Sequence, residues 1–263
     1  MISAQVRPNR LFRLVAVFAV GFAAVGFTAE TFSAPASEVV APVANTAVVP
    51  VPKDANWMKR HEGFLAEARQ GGIEVLFLGD SITDFWRDAK RGRAIWDREF
   101  APIHAANFGI SADRTQHLLW RIENGELDGL HPKVVVLMIG TNNTGLERDN
   151  VTPRNTPAEA IEGVKAVVSE IRKRLPESKL LLLAVFPRGA TPDYPQRAQI
   201  KTVNDAIQKL ADGKRVRFLD LGPKFLEPDG TLSAEVMPDF LHPSTKGYEI
   251  WAANMKPVLL EML

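Results

Sequence analysis

The hydrophobic and polar positions along the chain predict short buried strands that alternate with longer amphipathic helices. Unbroken apolar runs, the strongest at residues 134–139, are typical of strands in a parallel sheet that is covered on both faces. The predicted strands are residues 75–78, 104–107, 134–139, 180–185 and 216–221.

Between these strands, apolar residues recur at helical spacing. The clearest helix start is at Thr156, because Thr156 and Glu159 have the spacing of a capping box and Pro157 occupies the first helical position. Alternating strands and helices imply right-handed crossovers, so the chain is predicted to form a five-stranded parallel sheet between two helix layers, an α/β/α sandwich. The predicted helices are residues 56–70, 85–100, 115–124, 196–210 and 244–263, and the helix that begins at Thr156.

A serine follows the first predicted strand. Gly-Asp-Ser at residues 79–81 interrupts the apolar run, and ligands of such sheets bind in the crevice outside the carboxyl ends of the strands. Ser81 could instead only cap the next helix, because serine and aspartate both accept hydrogen bonds from free helix N–H groups. Further polar clusters occur at residues 107–109, 140–143 and 239–243. The topology brings all of these clusters to one edge of the sheet, which favours the functional interpretation.

Ser81 and two downstream residues have the chemistry of a nucleophilic site. A serine hydroxyl is a weak nucleophile and needs a neighbouring base, for which His242 is the natural candidate. Asp239, three residues before His242, is predicted to orient the imidazole through its other ring nitrogen. The alternative is that Asp239 and His242 only cap the closing helix.

Acyl transfer also needs hydrogen-bond donors directed at the developing oxyanion. The candidates are the backbone N–H of Ser81, the backbone N–H of Gly109 and the side-chain amide of Asn142. Gly109 could equally be an ordinary turn glycine, and residues 140–143 an Asx-rich turn.

Composition narrows the function further. The chain has 263 residues, a hydrophobic fraction of 46% and a formal net charge of +1, which gives no electrostatic reason to expect nucleic acid as a partner. It has no cysteine, which excludes disulfides and thiolate chemistry. No phosphate-binding loop, dinucleotide fingerprint or zinc-protease motif is present, and His61, His104, His117 and His131 lack metal-ligand spacing. Ser81 is not in a G-x-S-x-G elbow, because the residue two positions after it is Thr83.

The N-terminus has the layout of a secretory signal peptide. Three arginines precede a 14-residue uncharged run at residues 14–27, which is short for a membrane span. We therefore expect a signal peptide at residues 1–34, an extended Pro/Ala/Val-rich linker at 35–55 and the folded domain at 56–263, in a secreted or periplasmic protein. The alternative is an uncleaved membrane anchor.

Four short blocks resemble those of the SGNH (GDSL-type) hydrolases in order and spacing. They are Gly-Asp-Ser-Ile at 79–82, Gly109, Gly-Thr-Asn-Asn at 140–143 and Asp-Phe-Leu-His at 239–242. Within that superfamily the chain resembles the catalytic subunits of brain-type platelet-activating factor acetylhydrolase. The stretches that carry this likeness are residues 107–110, 117–121, 123–127 and 186–189.

The resemblance implies a flavodoxin-like fold, a Ser81–His242–Asp239 triad, an oxyanion hole from Ser81, Gly109 and Asn142, and no metal or cofactor. It also implies an acyl pocket, although core packing is an equal alternative for the residues concerned. Ser-Ala-Asp-Arg at 111–114 replaces a glycine-rich stretch of those subunits, and their regulatory partner is not carried over to a chain expected to be exported. The implied acyl-pocket residues are Ile82, Thr141 and Leu241.

The expected function is hydrolysis of short acyl esters, most simply acetyl esters, through an acyl-Ser81 intermediate. The substrate would be a small-molecule or saccharide ester, and the sequence leaves a homodimer open. A longer-chain lysophospholipase or thioesterase is the alternative within the same class. A carbohydrate- or lipid-binding module on a hydrolase scaffold is the alternative from another class, because fold does not determine function.

Overall fold

A computed structural model describes residues 44–147, 149 and 151–263. The predicted signal peptide and the first part of the predicted linker lie outside the described residues. In the part that is described, five parallel strands form one sheet in the order β2-β1-β3-β4-β5. The strands are β1 (Val75–Gly79), β2 (Ala105–Gly109), β3 (Val134–Met138), β4 (Lys179–Leu183) and β5 (Val216–Leu219).

Two layers of helices cover the sheet, as the unbroken apolar strands require. Alternate residues of each strand face opposite layers, so that Leu76 and Val135 pack with one hydrophobic cluster and Val75 and Val134 with the other. The first layer contains α1 (Ala55–Gln70), α4 (Thr115–Arg121), α5 (Pro157–Arg174) and α6 (Pro195–Ile207). The second contains α3 (Arg93–Glu99), α7 (Gly222–Phe225) and α8 (Thr245–Met262). The three-layer α/β/α prediction is confirmed.

The strand order places β1 between β2 and β3. Gly79, the last residue of β1, is in register with Gly109 of β2 and with Met138 of β3. The chain runs from β1 to β2 on one side and then crosses back to β3 on the other side of β1, which opens a crevice at the carboxyl ends of β1 and β3. This flavodoxin-like switch point is where the predicted serine turn lies.

Two regions differ from the sequence-based expectation. The helix predicted at 85–100 is divided into a 3₁₀ turn at Phe85–Arg87 and α3, because the residues between them form turns. Packing also begins before residue 56. Ala47, in the 3₁₀ turn Thr46–Val48, is fully buried, and the Thr115 hydroxyl donates a hydrogen bond of 2.7 Å to its carbonyl oxygen. The later part of the predicted linker is therefore attached to the domain.

Among the described residues, no helix has the length and apolar character that crossing a bilayer would need.

Candidate active site

Ser81 is presented by a tight connection between β1 and the short helix α2 (Ser81–Asp84). Asp80 caps this helix, since its Oδ1 accepts a hydrogen bond of 3.0 Å from the Ile82 N–H. A side chain at position 79 would place its Cβ 2.5 Å from the Met138 carbonyl oxygen and against the Thr83 hydroxyl, so only glycine permits this close approach. The cap is therefore Asp80 and not Ser81, and the Ser81 hydroxyl is hydrogen-bonded to the His242 ring instead.

The structure brings Ser81, His242 and Asp239 into one hydrogen-bonded chain, although Ser81 and His242 are 161 residues apart. Ser81 Oγ lies 2.9 Å from His242 Nε2, and His242 Nδ1 lies 2.6 Å from Asp239 Oδ2. When the Asp239 carboxylate accepts a hydrogen bond from Nδ1–H, the free lone pair on Nε2 faces the serine hydroxyl. This is the tautomer in which the imidazole can accept the proton of Ser81.

The loop at residues 239–242 folds around the Asp239 carboxylate. Its Oδ1 accepts hydrogen bonds from the N–H groups of Leu241 at 3.1 Å and His242 at 2.7 Å. Burial raises the pKa of Asp239, but the hydrogen bonds from the backbone and ring of His242 outweigh burial and hold the pKa below its usual value. Phe240 turns the chain with φ of 55°, and its carbonyl oxygen accepts a 2.8 Å hydrogen bond from Gly189 N–H. Asp239 is therefore held as a carboxylate in a fixed orientation.

The three predicted oxyanion donors lie at the carboxyl ends of the neighbouring strands β1, β2 and β3, but their N–H groups differ in how many are already hydrogen-bonded. Ser81 N–H belongs to the first residue of α2, where helices leave N–H groups without an internal acceptor. Asn142 Nδ2 donates one hydrogen to the Asp113 carbonyl oxygen at 2.9 Å, which leaves its second hydrogen. Gly109 N–H already donates to Asn107 Oδ1 at 2.9 Å, so it would have to share its single hydrogen with an oxyanion.

Gly109 also has a packing role. A Cβ at this position would lie 2.5 Å from the backbone nitrogen of Asp84, because the end of β2 passes directly against α2. The glycine is therefore required by the close approach of two backbones, whether or not its N–H contacts substrate.

A buried group of charged residues beneath the site was not predicted from the sequence. The side chains of Arg121, Asp113 and Glu126 are fully buried. Arg121 Nε lies 3.0 Å from Asp113 Oδ2, and its Nη1 lies 2.5 Å from Glu126 Oε1. Trp57 Nε1 donates to Asp113 Oδ1 at 2.7 Å, and His61 Nδ1 lies 3.3 Å from Glu126 Oε2. The signal that could have revealed this group is an arginine on the apolar face of the helix predicted at 115–124.

Arg121 connects this group to the backbone of the site. Its Nη1 donates 2.8 Å to the Phe108 carbonyl oxygen, which belongs to the same peptide unit as Gly109 N–H, and its Nη2 lies 3.5 Å from the Gly79 carbonyl oxygen. The Asp113 carboxylate accepts a hydrogen bond from Arg121, and the Asp113 backbone carbonyl oxygen accepts one from Asn142. The same guanidinium is thereby linked to the loop after β3 that carries Asn142. One buried cation thus ties together the loops that carry the predicted donors.

Two carboxyl groups near the site have raised pKa values. Burial raises the pKa of Asp80 to about 7, against the hydrogen bond from Ile82 N–H. Burial likewise raises the pKa of Asp113 to about 6, although Arg121 and the Trp57 hydrogen bond oppose it. Neither carboxyl group is hydrogen-bonded to the Ser81 hydroxyl. Asp80 caps α2 and Asp113 pairs with Arg121, so both hold the backbone around the site in place.

The predicted acyl-pocket residues have different environments. Ile82 is buried in the second hydrophobic cluster, and Thr141 is buried with its hydroxyl lacking a hydrogen-bond partner within the described structure. Leu241 lines a cavity of about 460 Å³ beside the triad, together with Arg188 and Phe240. Their contact with an acyl chain stays a prediction.

The segment 111–114, where the sequence departs from its predicted relatives, is fixed by polar contacts. Ser111 Oγ donates to Asp84 Oδ2 at 2.7 Å, and Arg114 forms two 2.6 Å hydrogen bonds with the Glu147 carboxylate.

Among the residues that the structure describes, no group of three His, Cys, Asp or Glu side chains is arranged to hold a metal ion.

The flavodoxin-like fold and the hydrogen-bonded Ser81, His242 and Asp239 at its switch point have the arrangement of a hydrolase site. Comparison with known proteins agrees: the profile of the GDSL-like lipase/acylhydrolase family matches residues 77–250. The alpha1 subunit of platelet-activating factor acetylhydrolase IB from Bos taurus is 39% identical over 219 residues, 83% of this chain and 88% of the relative. The alpha2 subunit from Rattus norvegicus is 36% identical over 214 residues, 80% of this chain and 86% of the relative.

A solved structure extends the similarity in fold. Acetylxylan esterase from Geobacillus stearothermophilus superposes with a TM-score of 0.57 at 23% identity, over 73% of this chain and 94% of that chain. The chain belongs to the GDSL-like lipase/acylhydrolase family, and it is a carboxylic ester hydrolase. The resemblance stated from the four sequence blocks is confirmed.

Proposed function

We propose that the protein is a serine esterase that removes short acyl groups, acetyl above all, through an acyl-Ser81 intermediate. The observation that carries the proposal is the hydrogen-bonded chain from Ser81 Oγ through the His242 ring to Asp239. The short acyl group is supported by the 39% identity to a subunit named as a platelet-activating factor acetylhydrolase.

Acylation begins when Ser81 Oγ attacks the ester carbonyl carbon and His242 Nε2 takes the hydroxyl proton. The resulting imidazolium is stabilised by the Asp239 carboxylate, which is already ionised and oriented by the loop around it. His242 then gives the proton to the departing alkoxide as the carbon–oxygen bond breaks, and the acyl group stays on Ser81. Deacylation repeats these steps with water as the nucleophile, which restores the serine hydroxyl and releases the acid.

The negative charge on the carbonyl oxygen is stabilised by donors at the end of the sheet. Ser81 N–H and the second hydrogen of Asn142 Nδ2 are the freest of the predicted donors, and Gly109 N–H contributes by sharing its hydrogen with Asn107. Removing one such donor typically lowers kcat by about 10²–10³. Asn142→Ala should therefore cause a larger loss than expected from a surface amide.

The test is hydrolysis of p-nitrophenyl acetate, butyrate and octanoate by the full chain. We expect the highest kcat/KM with acetate, and loss of activity to background in Ser81→Ala and in His242→Ala with unchanged circular dichroism. Ser169→Ala, at an exposed serine of α5, is the matched control and should retain full activity.

Other outcomes would redirect the proposal. A rise in kcat/KM from acetate to octanoate would favour the longer-chain lysophospholipase or thioesterase activity. Hydrolysis of the acetate that persists in Ser81→Ala would refute the acyl-serine mechanism. No ester hydrolysis above background in the unaltered chain would leave a binding module on this fold.

A further inference from the structure

The half-buried Arg188 lies in the loop after β4, at the same edge of the sheet as the triad. Its guanidinium makes one long hydrogen bond, from Nη1 to the Thr141 carbonyl oxygen at 3.4 Å. Within residues 44–147, 149 and 151–263, it forms no ion pair with a carboxylate. A guanidinium has five N–H donors, so most of the donors of Arg188 remain unused.

The loop that carries Arg188 is held firmly by contacts that do not involve its side-chain head. Arg197 Nε donates to the Arg188 carbonyl oxygen at 2.7 Å, and Arg197 Nη2 donates to the Gly189 carbonyl oxygen at 3.0 Å. Gly189 N–H donates to the Phe240 carbonyl oxygen, which joins this loop to the loop of His242. Arg197 therefore fixes the backbone, while the guanidinium of Arg188 is positioned but has few partners.

The guanidinium lines a cavity of about 460 Å³ that adjoins the triad. Asp239, Phe240 and Leu241 line this cavity together with Arg188 and Tyr194. A group bound there would lie beside Asp239, whose carboxylate is hydrogen-bonded to the His242 ring. The volume lies within the range of small-molecule sites, about 300–1,000 Å³.

The nearby acidic groups that the structure describes do not form hydrogen bonds with the Arg188 guanidinium. Burial lowers its pKa, and Tyr194, Asp80 and Asp239 partly offset this effect, but an arginine stays cationic at every working pH. The Asp239 carboxylate is committed to the Leu241 and His242 N–H groups and to the His242 ring. Burial raises the pKa of Asp80 to about 7, so near neutral pH this carboxyl carries only part of a charge. An anionic group with two oxygen atoms could accept hydrogen bonds from the free N–H groups of Arg188 in pairs.

We propose that Arg188 forms a subsite for a phosphate or carboxylate group on the alcohol half of the substrate. The inference rests on the proposed esterase function and names its substrate class: acyl esters of anionic alcohols. Tyr194 and Phe240 supply the apolar wall along which the carbon frame of the alcohol packs.

The test compares two acetate esters that differ in charge but hardly in size, 4-acetoxybenzoate and 4-acetoxybenzamide. The full chain should hydrolyse the benzoate with the higher kcat/KM. Arg188→Gln should lower the benzoate-to-benzamide ratio about tenfold or more, mainly through KM, because one charge-assisted contact is lost. Arg188→Lys should retain part of the preference as a point charge that cannot bind two oxygens at once.

Lys201→Gln is the control for charge, because it removes one positive charge at an exposed residue paired with Asp205. It should leave the ratio unchanged. An equal fall of both substrates in Arg188→Gln would show a merely structural role and overturn the proposal. A wild-type ratio below one would overturn it as well.

A second arm separates the two anions and also the two proposals. If 4-acetoxyphenyl phosphate shows a larger dependence on Arg188 than 4-acetoxybenzoate, the subsite is for phosphate; the reverse order assigns it to carboxylate. Binding of 4-hydroxybenzoate and 4-hydroxyphenyl phosphate, measured by calorimetry, tests the subsite without hydrolysis. Binding that Arg188→Gln weakens would support the subsite even if esterase activity failed, and no binding of either compound would refute it.

Discussion

Replacing Arg121 by methionine should strongly destabilise the folded domain. The substitution keeps a side chain of similar length but removes the positive charge. The fully buried carboxylates of Asp113 and Glu126 then lack the guanidinium that pairs with them. Removing one member of a buried ion pair typically costs about 3–5 kcal/mol, because the remaining charge is uncompensated. Since domains of this kind are stable by about 5–15 kcal/mol, the loss is a large fraction of the total.

The assay is urea unfolding followed by circular dichroism at neutral pH. Arg121→Met should lower the free energy of unfolding by about 3 kcal/mol or more. Arg93→Met is the matched control, because Arg93 forms an exposed pair with Asp97, and surface pairs contribute at most about 1 kcal/mol. Further neutralisation with Asp113→Asn and Glu126→Gln should recover at least half of the loss, since no buried charge then remains.

The loss should also depend on pH. Burial raises the folded-state pKa of Asp113 to about 6 even though the Arg121 charge opposes this shift, so removing Arg121 raises the pKa of Asp113 further. The folded state then binds more protons than the unfolded state, so the stability of the variant falls as pH rises through this window. We expect a smaller deficit at about pH 5 than at about pH 8. A deficit below about 1 kcal/mol at both pH values would refute the reasoning.

Three further predictions concern the site and its frame. Asp239→Asn should lower kcat for p-nitrophenyl acetate by about 10²–10⁴ with an unchanged melting temperature, because the amide cannot hold the required His242 tautomer; unchanged kcat would contradict this role. Gly109→Ala should lower the free energy of unfolding by about 1–3 kcal/mol, since the added Cβ would lie 2.5 Å from the Asp84 nitrogen; wild-type stability in urea would contradict the close approach. Burial lowers the pKa of His117 to about 3, so the folded chain keeps the ring neutral while the unfolded chain protonates it below about 6.5. Stability is therefore lost as pH falls through this window, and His117→Gln should flatten that part of the pH profile in urea; an unchanged profile would show that another group causes the acid loss.

The sequence alone determined the elements of the fold and the residue types of the site. Buried parallel strands need long apolar runs, and the Thr156 capping box with Pro157 marks a helix start, which the structure places at Pro157. These signals are local, because helix capping and hydrophobic periodicity depend on residues only a few positions apart in the chain. The four short blocks indicated the family by their resemblance to it. The predicted topology explained why they lie together, since the strand ends of a parallel sheet meet at one edge.

Only the tertiary structure decided which polar groups meet and which are already occupied. The sequence predicts the Gly109 N–H as a donor to substrate, and the structure shows that this N–H also donates a hydrogen bond to Asn107. A residue with a side chain does not fit at position 109, because the backbone of α2 lies too close. The ties from Arg121 to the site loops, and the unused donors of Arg188 beside the triad, were invisible in the sequence. Hydrogen-bond partners depend on distances of a few tenths of an ångström between segments far apart in the chain, and those distances are set by how the layers pack.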